Sequence, residues 1–298
     1  MVINTWNEEE NLGRALASVA DLADEIVVVD MKSQDKTVAI AKKAGAKIYT
    51  HKYTSYVEPA RNFALSKATG EWVLVLDADE EIPGSLAKKL KRIVEGEEGD
   101  YFRLPRKNLI FGKWMKHSRW WPDYNIRFFK KGSVKWSEVI HSVPETRGVG
   151  KDLAAVEENA IVHHHYTSVA QYVERMNRYT TIQAKGRVKK GEKFDWSDIL
   201  VKPAGEFLSR YFFGKGYKDG LHGLAVTSLQ AASELVLVLK VWEAGGFTGR
   251  MIDSSELVGV ARGIWKDVVY WMADMKLGEG NLGKFNEVWL RIKRKLST

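Results

Sequence analysis

The sequence contains no cysteine in its 298 residues. This absence excludes a disulfide framework, a thiolate nucleophile and any zinc or iron–sulfur site that depends on cysteine ligands. A metal ion used by this protein must therefore be held by carboxylates, histidine or water.

Long hydrophobic runs are also missing. In the most apolar region the longest stretch without a charged residue lies between Asp219 and Glu234 and has 14 residues, fewer than the roughly 20 that a membrane-spanning helix needs. Acidic residues at Glu8, Glu9 and Glu10 interrupt the position where a secretory signal would place its apolar core. We therefore expect a cytoplasmic protein without a membrane span.

Two glycine-rich nucleotide motifs are absent from the loop after the first predicted strand. The lack of G-x-G-x-x-G argues against a Rossmann dehydrogenase, and the lack of a lysine-bearing phosphate loop argues against a nucleotidyltransferase. The composition is otherwise ordinary, with 45% hydrophobic and 28% charged residues. It therefore excludes disorder and low complexity.

Positive charge is concentrated in one segment. The chain carries 46 basic and 38 acidic residues, a net charge of +8. Residues 1–100 carry 13 basic and 18 acidic residues (13 − 18 = −5), whereas residues 101–135 carry ten basic residues and one acid (10 − 1 = +9). Such a local field predicts an anionic partner, such as a phosphate, an acidic glycan, nucleic acid or a lipid surface.

The first hundred residues alternate between strand and helix patterns. The runs at 2–5, 25–30 and 72–77 are rich in valine, isoleucine and leucine, as expected for parallel strands buried on both faces. Helical patterns separate them, so we predict an α/β domain with a mostly parallel, Rossmann-like sheet. From about residue 165 the pattern is helical, with helices over about 220–244 and 254–275. We predict one domain over 1–180 and a helical region over 181–298.

Two of the predicted strands end in aspartate, at Asp30 and Asp77, and a further aspartate follows at Asp79. Ligands of open α/β sheets bind beyond the carboxyl ends of the strands. Two carboxylates that flank one small residue, as in Asp77-Ala78-Asp79, can share a divalent cation that also binds phosphate oxygens. The alternative for each aspartate is that it only begins a turn.

These motifs resemble a known family. N-x-E-x-N-L after the first strand, V-V-D-x-x-S-x-D-x-T after the second, and A-R-N-x-A-L followed by W-V-L-x-L-D-A-D-E are similar to the nucleotide-sugar domain of family 2 glycosyltransferases, which have the GT-A fold. Further segments, among them W-P-D-Y-N-I-R-F-F at 121–129, resemble the branch of lipopolysaccharide-core β-1,4-glucosyltransferases. The resemblance covers about residues 1–245.

The resemblance implies an inverting, metal-dependent glycosyltransferase. The reaction would move glucose or another hexose from a nucleotide sugar, usually a UDP-sugar, to a hydroxyl of a cell-envelope glycan or glycolipid, as in lipopolysaccharide biosynthesis. Mg²⁺ or Mn²⁺ and basic residues would take up the charge that develops on the leaving diphosphate. The expected location is the inner face of the cytoplasmic membrane, and no nucleic-acid partner is expected.

The resemblance also implies roles for single residues. Glu8 and Asp30 are expected at the nucleoside, with Asp30 facing the base, and Asp79 at the metal ion. The other residues expected to bind the donor are Thr5, Arg61, Asn62, Asp77 and Arg127. Asp77 is also expected near the metal ion, together with His163, the first of three consecutive histidines. The residues expected at the acceptor are Trp120, Trp121 and His141.

Inversion requires a general base on the acceptor hydroxyl. Asp123 is the first candidate because it is the only acid within residues 101–135, where the surrounding cations should keep it ionised. The alternative is an ion pair with Arg119 or Arg127. Relatives often have His-Glu where this chain has His-Ser at 141–142. The substitute candidates for the base are Glu138 and Glu145.

Two features leave alternatives open. Tryptophans and cations interleave between residues 107 and 127, which suits a phosphate-bearing or lipid-linked acceptor but also suits a non-catalytic protein that binds nucleic acid or anionic lipid. The helix that carries Trp265, Trp271 and Met272, and the basic tail at 291–295, suit either packing within the protein or an anionic membrane surface.

Overall fold

A computed structural model describes residues 1–54, 57–96, 99–137, 143–280 and 284–296. The chain forms two compact units. The first unit contains residues 1–114 and 121–165, and the second contains residues 115–120 and 166–298. Residue 180, the domain boundary predicted from the sequence, lies inside a helix of the second unit.

The described residues form twelve strands and nine α-helices. The strands are β1 (Val2–Thr5), β2 (Val27–Asp30), β3 (Lys47–Thr50), β4 (Trp72–Asp77), β5 (Glu80–Glu81), β6 (Tyr101–Ile110), β7 (Lys113–Trp114), β8 (Asp123–Lys130), β9 (Val134–Lys135), β10 (Glu145–Thr146), β11 (Gly150–Asp152) and β12 (Ile161–Tyr166). The helices are α1 (Leu12–Ala17), α2 (Thr37–Lys43), α3 (Glu58–Lys67), α4 (Gly84–Gly96), α5 (Val169–Lys189), α6 (Asp198–Leu208), α7 (Gly220–Ala244), α8 (Ser254–Glu279) and α9 (Lys284–Leu296).

Ten of the described strands form one mixed sheet. Its main path runs in the order β3-β2-β1-β4-β8-β6-β12-β5, and β7 and β11 pair with β6. Strands β3, β2, β1 and β4 are parallel, whereas β8 is antiparallel to both β4 and β6. Among the described residues β9 and β10 pair separately. The predicted α/β class, with a parallel N-terminal sheet, is confirmed.

Strands β1, β2 and β4 are buried on both faces, which explains their continuous apolar runs. Alternate residues of a strand point to opposite faces. Val27 and Val29 therefore pack in one cluster with Ala64 of α3, whereas Val28 packs in a second cluster with Leu12 of α1. Helix α4 contributes to this second cluster through Leu86, Leu90 and Ile93.

The second unit is helical, as the sequence predicted. Helix α7 packs against both α5 and α6, and α9 packs against α8. Helix α8 begins with a capping box, in which the side chains of Asp253 and Glu256 each accept from the backbone N–H of the other residue. Asp253 also accepts from the backbone N–H of Ser255 (2.7 Å). Helix α8 ends where Gly280 adopts a left-handed φ of 72°.

One helical stretch in the described part of the chain, Gly216–Ala244, is long and apolar enough to cross a membrane by length and composition. The short charge-free stretch between Asp219 and Glu234 predicted no span. The core helix of a soluble protein meets the same criterion, and α7 packs against two helices of its own unit. The criterion is therefore weak evidence for a membrane span.

Candidate active site

The carboxyl ends of β1, β2 and β4 lie side by side. In the register of these parallel strands Thr5 lies opposite Asp30, and Asn4 lies opposite Asp77. Because parallel strands end at the same edge of a sheet, three predicted donor-binding residues share one edge. This is the juxtaposition that the sequence pattern predicted for Asp30 and Asp77.

Asp30 is buried at the end of β2, with 4% of its surface exposed. Both of its carboxylate oxygens accept from the backbone N–H of Ser33, at 3.3 and 3.1 Å. On the adjacent strand the hydroxyl of Thr5 is buried and has no hydrogen-bond partner among the described residues. Buried polar atoms without a partner are uncommon. This strand end therefore has unused hydrogen-bonding capacity.

The loop after β1 is tied to the loop after β2. The backbone N–H of Glu8 donates to the hydroxyl of Thr37 (2.8 Å), and that of Asn7 donates to the hydroxyl of Ser33 (2.9 Å). The half-buried carboxylate of Glu8 accepts from the side-chain amide of Asn11 (2.7 Å). These bonds hold Glu8 at the sheet edge that also carries Asp30.

Asp77 lies among arginines. One of its carboxylate oxygens is 2.9 Å from Nη2 of Arg61, and the other pairs with Nη2 of Arg127. The fully buried side chain of Glu80 pairs with the same nitrogen of Arg127 (2.7 Å) and with Nη1 of Arg106 (3.2 Å). Glu80 also accepts from the backbone N–H of Asp77 (2.9 Å). Three guanidinium groups thus offset these two carboxylates.

The arginines decide the charge of Asp77. Burial would raise the pKa of Asp77, but the charges of Arg127 and Arg61 outweigh burial and hold that pKa well below its usual range. In return, burial would lower the pKa of Arg127, but Asp77 and Glu80 raise it. Asp77 is therefore an ionised anchor for two arginines. A direct bond from Asp77 to a metal ion would compete with one of these ion pairs.

A second series of contacts leads from Arg106 to His163. Arg106 donates to one oxygen of Asp123 through Nε (2.9 Å) and Nη2 (2.6 Å). The same oxygen accepts from Nδ2 of Asn108 (3.0 Å), and Oδ1 of Asn108 is 2.6 Å from Nδ1 of His163. Burial would raise the pKa of Asp123, but the charge of Arg106 and the bond from Asn108 lower it. The ion-pair partner of Asp123 is thus Arg106 and not the expected Arg119 or Arg127.

Asn108 determines which nitrogen of His163 carries the proton. An ionised Asp123 only accepts hydrogen bonds, so the NH₂ group of Asn108 must face it and the amide oxygen must face His163. Nδ1 of His163 must then donate, which leaves the lone pair of the neutral imidazole on Nε2. This Nε2 lies 3.3 Å from Nδ1 of His165 and 3.6 Å from Oδ2 of Asp79.

Asp79 and His163 fit a divalent cation. A cation about 2.1 Å from two ligand atoms separates them by roughly 3.0 to 3.6 Å at bond angles of about 90 to 120°, which matches the observed 3.6 Å. Both residues are buried, with 8% and 4% exposure. No group of three or more histidine and acidic ligands occurs in the described ranges. A cation here would therefore need water or substrate oxygens as further ligands.

Asn62 makes a structural contact that the sequence did not predict. Its side chain donates to the carbonyl oxygen of Trp136 (2.6 Å) and accepts from the backbone N–H of the same residue (3.0 Å). The guanidinium of Arg61 lies over the ring of Trp136, 5.5 Å from its centroid. Asn62 therefore anchors the segment that follows β9, and its role in donor binding stays a prediction.

The residues predicted at the acceptor belong to different parts of the chain. Trp121 is half-buried in the first unit and packs edge to face with Trp114, with 5.1 Å between ring centroids. Trp120 belongs to the second unit, where Arg210 lies 5.7 Å from the centroid of its ring. His141 lies outside the described residues.

Of the two substitute candidates for the base, one is less well placed than Asp123 and the other lies outside the described residues. Glu145 is exposed on β10, opposite Lys135 on β9. Glu138 lies outside the described residues. Asp123, by contrast, contacts the series of side chains that ends at His163.

At least five of the ten cations in residues 101–135 form ion pairs with carboxylates of the described residues. The pairs are Arg103 with Asp152, Arg106 with Glu80 and Asp123, Lys107 with Glu157, Arg127 with Asp77 and Glu80, and Lys130 with Asp100. All but one of these carboxylates lie outside the basic segment. Folding therefore offsets much of the charge on which the nucleic-acid alternative depends.

Three residues of this site were not predicted from the sequence, namely Glu80, Arg106 and Asn108. A weak signal exists for two of them, because Arg106 and Asn108 are two positions apart in β6 and therefore share a face of a strand that also contains the buried Leu104 and Ile110. Glu80 directly follows Asp79, so the sequence gives no signal for it that is separate from the D-A-D motif.

Comparison with known proteins decides the family. Residues 1–153 match the model of the family described as Glycosyl transferase family 2. The chain belongs to this family. The glycosyltransferase is 31% identical over 265 residues to an uncharacterized glycosyltransferase of Rickettsia typhi, an alignment that covers 86% of this chain and 90% of that protein.

Other relatives agree with the predicted branch. The lipopolysaccharide core biosynthesis glycosyltransferase LpsC of Rhizobium meliloti is 23% identical over 253 residues, which cover 82% of this chain and 92% of that protein. Among solved structures, residues 1–349 of S. aureus TarS in complex with UDP align with a TM-score of 0.43 and 14% identity, covering 85% of this chain and 92% of that chain. A structural similarity of this size carries no inference about the site. Family membership confirms the GT-A fold and the transferase activity that the motifs implied.

Proposed function

We propose that this glycosyltransferase transfers a hexose, with inversion at the anomeric carbon, from a UDP-sugar to a hydroxyl of a cell-envelope glycan or glycolipid. The proposal includes Mg²⁺ or Mn²⁺ as a cofactor and a cytoplasmic location at the inner face of the membrane. The observation that carries it is the pair of Asp79 and His163, 3.6 Å apart just beyond the strand end of Asp77.

In this proposal the donor lies across the carboxyl ends of β1, β2 and β4. Asp30 and Glu8 bind the nucleoside, with Asp30 facing the base, and Thr5 offers a hydroxyl to the same part of the donor. Asp77 holds Arg61 and Arg127 in place, so that positive charge lies near the diphosphate and the sugar. Asn62 keeps the Trp136 segment beside them.

The cation would be held by Asp79 and His163. When bound, it supplies positive charge that stabilises the leaving diphosphate. Asn108 keeps the proton of His163 on Nδ1, which leaves Nε2, 3.6 Å from Oδ2 of Asp79, as the nitrogen that would bind the cation. Asp77 contributes indirectly, as the anchor of the arginines.

The reaction is a single displacement. The acceptor oxygen forms a bond to the anomeric carbon opposite the UDP, the bond between that carbon and the diphosphate oxygen breaks, and the electron pair leaves with UDP. The acceptor proton passes to a carboxylate. We assign this role to Asp123, because its lowered pKa keeps it ionised and 28% of its side chain is exposed. Glu138 and Glu145 are the second choices.

A screen of nucleotide sugars tests this function. Donor hydrolysis is measured with Mn²⁺, with Mg²⁺ and with EDTA. We expect a UDP-hexose to be hydrolysed with either metal and hydrolysis to stop with EDTA. Turnover of only a non-uridine donor would contradict the donor assignment, and turnover that EDTA leaves unchanged would contradict the metal assignment.

Replacing Asp123 by asparagine tests the base. The kcat of the variant for transfer should be about 10² to 10⁴-fold lower, because asparagine cannot take the proton from the acceptor hydroxyl. UDP affinity, measured by titration calorimetry, should change little. A kcat equal to that of the unmodified protein, together with a lower melting temperature, would show that Asp123 serves only as the ion-pair partner of Arg106.

Replacing Asn108 by leucine tests the orientation of His163. We expect Mn²⁺ affinity to fall by about 10 to 100-fold, as for other residues that orient a metal-binding histidine. The matched control is Asn125→Leu. Asn125 also donates to Asp123, at 3.2 Å to its other oxygen, but within the described part of the chain it does not bond His163. If Asn108→Leu and Asn125→Leu bound Mn²⁺ with equal affinity, Asn108 would not be the residue that orients His163.

A further inference from the structure

Helix α9 presents an apolar stripe on the side that faces away from its neighbour. The stripe consists of Val288, the adjacent Trp289, and Ile292 one turn further along the helix. Between 52% and 57% of each residue is exposed. At the helical spacing of 100° per residue they form one face. A helix of a globular protein ordinarily turns such a face toward the core, so the outward direction requires an explanation.

The opposite side of α9 attaches it to α8. Leu290 is buried, with 6% exposure, and Arg294, one turn later, donates to the carboxylate of Asp274 on α8 at 2.7 Å. Leu290 and Arg294 share a face because they are four residues apart. Their contacts fix the rotation of α9 and leave the stripe of Val288, Trp289 and Ile292 outside.

Cations accompany the exposed stripe. The residues of α9 include five Lys or Arg and one Glu, a balance of 5 − 1 = +4. Lys293 places its ammonium 4.7 Å from the centroid of the Trp289 ring, and Lys295 lies on the opposite flank of the stripe in the helical projection. An apolar face with aromatic and aliphatic side chains between cations is the pattern of helices that lie in the interface of anionic membranes.

Helix α8 carries a similar exposed row. Val258, Trp265 and Met272 recur every seven residues, and their exposures are 53%, 64% and 43%. Packing within the protein and an anionic membrane surface were the two roles expected for the helix that carries Trp265 and Met272. Exposure of Trp265 at this level favours the membrane alternative, because a buried role would leave little of its ring accessible.

We infer that α9 docks on an anionic lipid surface through Val288, Trp289 and Ile292. The apolar stripe enters the boundary between headgroups and acyl chains, and the cations on its flanks meet lipid phosphates. The inference names the surface that would contact the membrane at which the proposed function places the protein, and it rests on that proposed function. The geometry of the stripe itself is independent of the catalytic site.

The test is co-sedimentation of the full chain with vesicles. One set of vesicles contains equal parts phosphatidylcholine and phosphatidylglycerol, and the other contains phosphatidylcholine alone. We expect binding to the first set, weakened by salt, and little binding to the second. The double variant Trp289→Ser/Ile292→Ser should bind about 30-fold more weakly, and Lys293→Gln/Lys295→Gln about 10 to 30-fold more weakly.

Controls separate this inference from its rivals. Val143→Ser, at a residue that is 84% exposed outside α9, should bind vesicles like the unmodified protein. Unchanged vesicle binding by the Trp289/Ile292 variant would overturn the inference. The inference would also be overturned if the unmodified protein were a dimer, the variant a monomer, and vesicle binding the same in both. The stripe would then join two copies of the chain. UDP binding with Mn²⁺ is measured on the same samples, so that a failure of the proposed function is seen separately.

Discussion

Replacing Arg127 by methionine is expected to lower the free energy of unfolding by about 3 to 5 kcal/mol. The guanidinium of Arg127 is 4% exposed and contacts both Asp77 and Glu80. Removing it leaves a fully buried Glu80 carboxylate with Arg106 as its remaining cation. The cost arises from the uncompensated buried charge rather than from the loss of attraction alone. Urea denaturation of the purified variant measures it.

The matched control is the same substitution at an exposed ion pair. Arg103 pairs with Asp152 at 2.6 Å, but about half of the Arg103 side chain is exposed. Arg103→Met should therefore cost only about 1 kcal/mol or less. Adding Glu80→Gln to Arg127→Met should recover about 1 kcal/mol or more relative to the sum of the single changes. Equal losses for Arg103→Met and Arg127→Met would contradict the buried network.

Replacing Asp79 by asparagine is expected to reduce kcat/KM for the donor by about a thousand-fold, which corresponds to roughly 4 kcal/mol at 1.36 kcal/mol per factor of ten. The reason is that the variant loses a charged ligand that would hold the cation beside the diphosphate. The residual activity of the Asp79→Asn variant should respond little to added Mn²⁺. Steady-state turnover across a series of Mn²⁺ concentrations measures both effects.

A neighbouring carboxylate supplies the control for Asp79. Glu81 pairs with Arg14 at 2.7 Å and with His164 at 2.5 Å, so its charge is used locally. Glu81→Gln should keep the Mn²⁺ dependence of the unmodified protein. An Asp79→Asn variant that retains both kcat/KM and its Mn²⁺ dependence would show that the cation is held elsewhere.

The parts of the site that depend on local pattern were predictable from the sequence. Asp30 and Asp77 end apolar strands, and parallel strands end at one edge, so their meeting follows from the pattern of strands and helices alone. Asp79 and His163 were assigned through the resemblance to family 2 glycosyltransferases. The structure places the two side chains within reach of one cation.

The parts that depend on long-range contacts were not predictable. The A-R-N motif predicts that Asn62 binds the donor, but it gives no sign that the Asn62 side chain bonds Trp136, 74 residues further along the chain. Asp123 was considered with Arg119 or Arg127 because they are near in sequence, whereas antiparallel pairing of β6 and β8 brings Arg106 opposite it. Sequence distance carries no information about a register set by other strands.

Charge and amphipathicity show the same limit. The basic segment at 101–135 suggested a strong positive surface, but carboxylates from distant elements, such as Asp152 and Glu157, pair with its cations. The periodicity of α9 predicts an apolar face without saying where that face points. Its direction follows from the Arg294–Asp274 pair, which joins two helices.

The measurement that tests the central claim most directly is calorimetric titration of UDP into the unmodified protein, once with Mn²⁺ and once with EDTA. If Asp79 and His163 hold a cation beside a bound diphosphate, UDP binds with Mn²⁺ and loses most of its affinity in EDTA. Equal UDP affinity in both solutions, or no UDP binding in either, would contradict a cation-dependent nucleotide-sugar site at this edge of the sheet.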